Sequence, residues 1–164
     1  NMTDVMAALR LLVDRGGVES RQALDDFYRR WSGESLVLDK WFGVQATSPR
    51  EDTLTRVMQL MRHPDFSLGH PNRVRSLIST FCNLNQVRFH AADGAGYRFL
   101  ADRVLELDPL NPLIASRLVK SLIRWRRFDP GRQTLMRAEI ARILEREDIS
   151  KDVFEVASKA LDAG

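Results

Sequence analysis

Glycine and proline breaks divide this sequence into segments that are each about one helix long. The breaks fall at Gly16–Gly17, Gly33, Pro49, Pro64, Pro71, Pro109, Pro112 and Pro130. Between them apolar residues recur every three or four positions, as Val5, Leu9 and Leu12 do in the first segment. Intervals of roughly 15–20 residues suit a helix and its turn, and no segment has the alternation typical of a strand. The pattern predicts an all-α protein.

The sequence also predicts particular helix boundaries and helix faces. Thr3 is the expected cap of the first helix, the second should run from about Ser20, and the fourth should start at Pro49. Residues 83–96 suit a structured loop. The apolar positions expected on helix faces include Val5, Leu36, Met58, Ala138 and Phe154.

Short connections between helices favour antiparallel neighbours. We therefore expect stacked antiparallel helix pairs in an armadillo-like or HEAT-like superhelical solenoid. No repeated sequence signature is visible, so the repeats are predicted to be structural only. The length of 164 residues suits one helical domain over residues 1–164. Side chains predicted to be buried are Trp41, Phe81, Cys82, Leu118, Leu122 and Ile143.

The charge balance gives little support to a nucleic-acid-binding role. There are 25 basic and 22 acidic residues, for a net charge of +3, and the arginines are spread along the chain. No apolar run approaches the roughly 20 residues that a membrane span needs, and no signal peptide is visible. These features predict a cytoplasmic protein without nucleic-acid or membrane partners.

The sequence lacks the common arrangements of catalytic or metal-binding residues. His63, His70 and His90 have neither the His-Glu-x-x-His nor the His-x-x-x-His spacing that places two ligands on one helix face. The segment Asp93-Gly94-Ala95-Gly96 suits a turn with a glycine at positive φ better than a phosphate-binding loop. We expect no catalytic residue, metal site or cofactor in this chain itself.

Two arginine-bearing segments each begin a helix directly after a proline break. They are His70–Leu77, with Arg73 and Arg75, and Asn111–Leu118, with Arg117. An arginine near the positive end of a helix dipole is locally unfavourable, so each needs a compensating role. Arg73 and Arg75 are two positions apart and point to different sides of the helix. Hydrogen bonding to neighbouring loops is the structural alternative to ligand binding.

Several segments, in order along the whole chain, carry a resemblance to one known family. They are Asn1–Asp4, Asp39–Phe42, Gln45–Thr47, Pro71–Leu77, Phe89–Tyr97, Asn111–Pro112, Ala115–Leu118 and Arg132–Gln133. In these segments the chain resembles the C-terminal helical domain of bacterial aminopeptidase N, the zinc-dependent alanyl aminopeptidase. One departure is His70, where the family usually has asparagine.

The resemblance implies a non-catalytic part of a zinc aminopeptidase, an enzyme that removes N-terminal amino acids from peptides. In that family the domain caps the active-site chamber and controls the access and positioning of short peptides. Zinc and its ligands would lie in upstream peptidase domains of the same polypeptide. By resemblance, Arg75 and Arg117 would face the substrate chamber, and Asn72, Arg73 and Tyr97 would make loop contacts.

Two other functions remain open at this point. The chain could be a free-standing helical scaffold that binds a protein partner in its groove, or a basic helical domain that binds nucleic acid. A peptidase domain encoded directly upstream favours the aminopeptidase interpretation. An affinity for nucleic acid that falls steeply with salt favours the last alternative.

Overall fold

The computed structural model describes residues 1–162, and every regular element in that range is helical. The α-helices are α1 (Met2–Arg15), α2 (Gly17–Trp31), α3 (Ser35–Ala46), α4 (Thr53–Leu60), α5 (Pro71–Val74), α6 (Thr80–Leu84), α7 (Gln86–Phe89), α8 (Ala95–Leu107), α9 (Pro112–Val119), α10 (Pro130–Leu144) and α11 (Lys151–Asp162). A π-helical segment, Arg75–Ser79, joins α5 to α6, and 3-10 turns at Lys120–Leu122 and Trp125–Arg127 follow α9. The predicted all-α class is confirmed.

The helices form two compact units, of which the first is Asn1–Arg88 and the second begins at Phe89. In the first unit α1 packs on α2, and α3 packs on α1, α2, α4 and the π-helical segment. In the second, α8 packs on α9, and α11 packs on both α9 and α10. Among consecutive helices, the pairs α1–α2, α2–α3, α3–α4, α8–α9 and α10–α11 thus pack on one another, as predicted. A single domain over residues 1–164 stays a prediction.

The core of the first unit is built from apolar stripes on α3 and on the helix that starts at Pro71. Val74, Leu77, Ile78 and Phe81 are all completely buried. Trp41 is buried and donates its indole N–H to the Leu24 carbonyl at 2.9 Å, which joins α3 to α2. The predicted burial of Trp41, Phe81 and Cys82 is confirmed.

The second unit has its own core between α8, α9, α10 and α11. Leu118, Leu122 and Ile143 are buried as predicted. Trp125 donates its indole N–H to the Ala160 carbonyl at 2.9 Å, so the 3-10 turn after α9 is tied to the end of α11. A buried indole N–H needs such a partner because an unpaired donor in the core costs free energy.

Several helix boundaries differ from those predicted. The cap of α1 is Asn1, whose side chain accepts a hydrogen bond from the Asp4 amide at 3.0 Å, rather than Thr3. The second helix begins at Gly17, not near Ser20. The fourth begins at Thr53 rather than at Pro49 because residues 50–52 form a turn. The predicted loop over residues 83–96 contains the short helix α7.

Five residues assigned to apolar helix faces are exposed: Val5, Leu36, Met58, Ala138 and Phe154. In α11 the buried side chains are Val153, Ala157 and Ala160. These small residues let α11 approach α9 closely, and the bulkier Phe154 lies beside the contact.

The close approach of backbone at Gly96 generates a prediction. A Cβ at Gly96 would lie 2.2 Å from the Phe89 carbonyl oxygen, whereas a Cβ at Gly33 would have no neighbour within 4 Å. We expect Gly96→Ala to lower the free energy of unfolding by about 1–3 kcal/mol. Gly33→Ala should change it by less than about 0.5 kcal/mol. Urea denaturation followed by circular dichroism measures both, and equal effects would contradict the close packing.

Candidate functional site

Arg73 is a buried anchor at the start of the helix that begins with Pro71. Its side chain is 5% exposed and pairs with the Asp39 carboxylate of α3 at 2.7 Å. It also donates to the Asp65 carbonyl and, at 3.3 Å, to the Ser35 hydroxyl. The guanidinium lies over the Phe42 ring, 5.1 Å from its centroid. These partners satisfy the charge within the protein, so Arg73 joins α5, α3 and the loop before α5.

Arg75 and Asn72 lie on the outer side of the same helix and are exposed. One terminal nitrogen of Arg75 donates to the Asn72 side-chain oxygen at 3.0 Å. Asn72 also accepts a hydrogen bond from the Ser76 hydroxyl, through its carbonyl, at 2.8 Å. The remaining guanidinium donors of Arg75 have no acceptor among residues 1–162 and are available to a ligand.

The π-helical segment begins at Arg75. Such segments are rare and frequently occur at functional sites. Here α3 packs directly against it, and a Cβ at Gly43 would lie 3.3 Å from the Ser76 carbonyl oxygen. The Thr80 hydroxyl donates to the Arg75 carbonyl at 3.1 Å, which satisfies an acceptor in the altered turn. The segment therefore holds Arg75 on a well-supported stretch of backbone.

Arg117 occupies a similar position in the second unit. Its helix, α9, is capped by Asn111, which accepts from the Ile114 amide at 3.2 Å. The neighbours Ser116 and Leu118 are buried, but Arg117 is exposed. It forms no hydrogen bond or ion pair with any described residue, so its guanidinium is open to solvent or ligand.

Tyr97 is completely buried in the second unit, where it forms a polar cluster that the sequence did not predict. Its hydroxyl lies 2.7 Å from His90 Nδ1. The His90 ring stacks on Phe128, with 4.3 Å between centroids. Arg132 donates from Nε to the His90 carbonyl at 2.7 Å and pairs with Asp129 at 2.9 Å. These contacts join the segment before α8 to the start of α10.

Burial controls the protonation of this cluster. It raises the pKa of Tyr97 to about 12, so the phenol stays protonated at neutral pH. It also lowers the pKa of His90, and the nearby Arg132 cation lowers that pKa further. His90 is therefore favoured as neutral imidazole, and Tyr97–His90 is a neutral hydrogen bond.

Some of the predicted site residues are exposed and others are buried. Asn72 and Arg75 contact each other on the surface of the first unit, and Arg117 is exposed on the second. Arg73 and Tyr97 are buried and have partners within their own units. The turn at Gly94 forms as predicted, with φ of +75° and an Asp93 side chain that accepts from the Ala95 amide at 3.0 Å.

The described residues do not fit a metal centre. Within residues 1–162 no three His, Cys, Asp or Glu side chains group closely enough to hold a metal ion. None of the helices in that range is long and apolar enough to cross a membrane.

Comparison with known proteins places these features in a family. Residues 1–162 match the family model described as Domain of unknown function (DUF3458_C) ARM repeats. The chain belongs to the DUF3458_C family. The family description agrees with the predicted armadillo-like fold.

Curated relatives extend this assignment to aminopeptidases. Over 98% of its length the chain is 51% identical to aminopeptidase N of Caulobacter vibrioides and 43% identical to that of Escherichia coli. A crystal structure of Legionella pneumophila aminopeptidase A in complex with aspartic acid superposes with a TM-score of 0.94 at 35% identity over the whole chain. The chain spans only 18–19% of these proteins. The resemblance to the C-terminal domain of aminopeptidase N is confirmed.

Because Arg73 is buried and Arg75 is exposed, their replacement should have different effects on the free energy of unfolding. Arg73→Met leaves the largely buried Asp39 carboxylate without its cation, so we expect the free energy of unfolding to fall by about 3–5 kcal/mol. Arg75→Met removes an exposed charge and should change it by less than about 0.5 kcal/mol. Urea denaturation compares the two variants, and a large loss in Arg75→Met would assign that residue a structural role.

The protonation of His90 gives a pH-dependent prediction. Because its pKa is lower in the folded state, the unfolded state binds a proton more readily at mildly acidic pH. The stabilisation from neutral His90 is therefore complete above about pH 6.5, the ordinary histidine value, and is lost as the pH falls. An NMR titration of the His90 ring protons should give a pKa below that value. A pKa above it would contradict the buried, neutral hydrogen bond.

Proposed function

We propose that this chain is the C-terminal helical part of a zinc aminopeptidase that removes N-terminal amino acids from peptides. In that enzyme it caps the active-site chamber and controls the access and positioning of the peptide. Its family and the identities of 43–51% to aminopeptidase N support this assignment. The partners in the proposal are the upstream peptidase domains of the same polypeptide and short peptides. The proposed location is the cytoplasm.

The positioning role is supported by the different environments of three arginines. Arg73 uses its donors inside the protein, whereas Arg75 and Arg117 are exposed and retain free donors. A guanidinium offers paired N–H groups whose geometry matches carboxylate oxygens, and it also donates to backbone carbonyls. When the enzyme holds the amino terminus of a peptide, these arginines would bind its carbonyls or its C-terminal carboxylate.

The proposal assigns no step of bond cleavage to this chain. Zinc would be held by upstream domains, and the described residues provide no suitable ligand set. What this part contributes is orientation: a peptide held at both ends spends more time in a reactive geometry. Enclosure of the chamber would also limit entry to short or unfolded peptides.

Peptide kinetics of the complete enzyme test this role. We expect Arg75→Ala and Arg117→Ala each to lower kcat/KM for peptides of several residues by about ten- to a hundredfold, since each removes a charge-assisted hydrogen bond of about 1.5–3 kcal/mol. Solvent screening in a wet chamber would reduce the effect. A single-residue chromogenic substrate should be cleaved at nearly the original rate.

Matched controls come from exposed arginines outside the two segments, Arg62 in the first unit and Arg146 in the second. Arg62→Ala and Arg146→Ala should leave the cleavage of both substrate classes unchanged. Unchanged peptide kinetics in Arg75→Ala and Arg117→Ala would remove these residues from the site. Equal losses for peptides and the chromogenic substrate, together with a lower Tm, would indicate a structural role instead.

A further inference from the structure

A cavity of about 330 Å³, most of whose lining residues are polar or charged, lies in the first unit between the start of α2, the end of α3 and α4. Arg75 does not line it. Its charged lining residues are three arginines and two aspartates: Arg21, Asp25, Arg50, Asp52 and Arg56. We name this cavity the Arg56 recess. It is large enough for a small organic ligand, and neither the fold nor the proposed function accounts for its polar lining.

Arg56 is held in a fixed position at the wall of the recess. Its Nε donates to the Gln45 side-chain oxygen at 2.8 Å, and the Gln45 amide nitrogen donates to the Trp41 carbonyl at 3.0 Å. Gln45 is only 2% exposed, so it is a rigid support. Two hydrogen bonds in series, one part-buried and one buried, therefore orient the guanidinium before any ligand arrives.

The charge of Arg56 has no bonded counterion among the residues that the structure describes. It forms no ion pair with a described residue, and its two terminal nitrogens have no acceptor there. Burial lowers the pKa of Arg56, which means that the charged form is desolvated, and attraction by Asp25 offsets this only in part. An anion in the recess would supply the missing acceptor.

Ser20 gives a second, independent indication of a ligand. The residue is 6% exposed and lines the recess, yet its hydroxyl forms no hydrogen bond with any described residue. Because this oxygen is not fully buried, it is open to a molecule in the recess. Ser20 lies in the first turns of α2, whose N-cap residue, Gly16, has no side chain to accept from the helix amides. The positive end of that helix dipole favours an anion.

The other charged groups leave the recess with one positive charge in excess. Arg50 donates to the Arg15 carbonyl at 2.8 Å and pairs with Asp52 at 3.2 Å, so these two charges offset each other. The remaining charged lining residues are Arg21, Asp25 and Arg56, two cations and one anion. This balance disfavours a metal cation and favours an anion.

We propose that the Arg56 recess binds a small oxyanion, a carboxylate or a phosphate, through the guanidinium of Arg56 and the hydroxyl of Ser20. The guanidinium donates to the anion's oxygens, which is the geometry that arginine offers to carboxylate and phosphate. The Ser20 hydroxyl donates a further hydrogen bond. This site is independent of the proposed peptide contacts of Arg75 and Arg117.

Equilibrium dialysis of the complete polypeptide tests the site. Labelled inorganic phosphate is used in one arm and labelled succinate in the other, at constant ionic strength. We expect saturable binding of at least one of the two anions. Arg56→Gln should weaken it by at least about tenfold, because a charge-assisted hydrogen bond is lost. Ser20→Ala should weaken it by about two- to tenfold.

Arg62→Gln is the matched control, because Arg62 is exposed and does not line the recess. It should leave affinity within about twofold of the original. Ser20→Ala keeps the test decisive if Arg56→Gln unfolds the protein, since Ser20 has no protein hydrogen bond to lose. Binding of phosphate alone, succinate alone or both identifies the chemical source of the anion. No saturable binding, an unchanged affinity in Ser20→Ala, or equal weakening in Arg62→Gln would overturn the proposal.

Discussion

The buried charge of Arg73 is the constraint on which the candidate site of the first unit depends. A guanidinium removed from water is tolerated only when acceptors surround it. Asp39, the Asp65 carbonyl and Ser35 provide those acceptors, and together they fix the start of the Pro71 helix against α3. Because Arg73 faces inward, Arg75 faces outward from the same helix. One ion pair thus determines which arginine is available to a ligand.

The second unit also combines paired polar groups in its interior with an exposed arginine, but the interior contacts differ. There the neutral Tyr97–His90 hydrogen bond and the Arg132 contact to the His90 carbonyl join the segment before α8 to α10. Arg117 extends from α9 between buried neighbours and has no partner among the described residues. In both units an exposed arginine lies on a helix that packs against a buried core, which is the arrangement expected of residues that position a ligand without reacting with it.

Local sequence patterns predicted most of the helices, but they could not predict the hydrogen-bond partners of the buried polar groups. Val74 and Phe81 follow from helical periodicity, and the Gly94 turn follows from its neighbours. Spacing showed that Arg73 and Arg75 point to different sides, but which side is buried depends on Asp39, 34 positions away. The His90–Arg132 contact spans 42 positions, and helical periodicity gives no information about a contact between such distant residues. The roles of Arg75 and Arg117 remain predictions.

Photo-crosslinking in the complete enzyme tests most directly whether this chain contacts the peptide. A photoreactive amino acid is placed at position 75 or 117, with position 62 or 146 as the control, and an inhibitor peptide of several residues is bound at the active site. We expect crosslinks to the peptide from positions 75 and 117 that disappear when the peptide is blocked at its amino terminus. Equal crosslinking from all four positions, or none from 75 and 117, would contradict it.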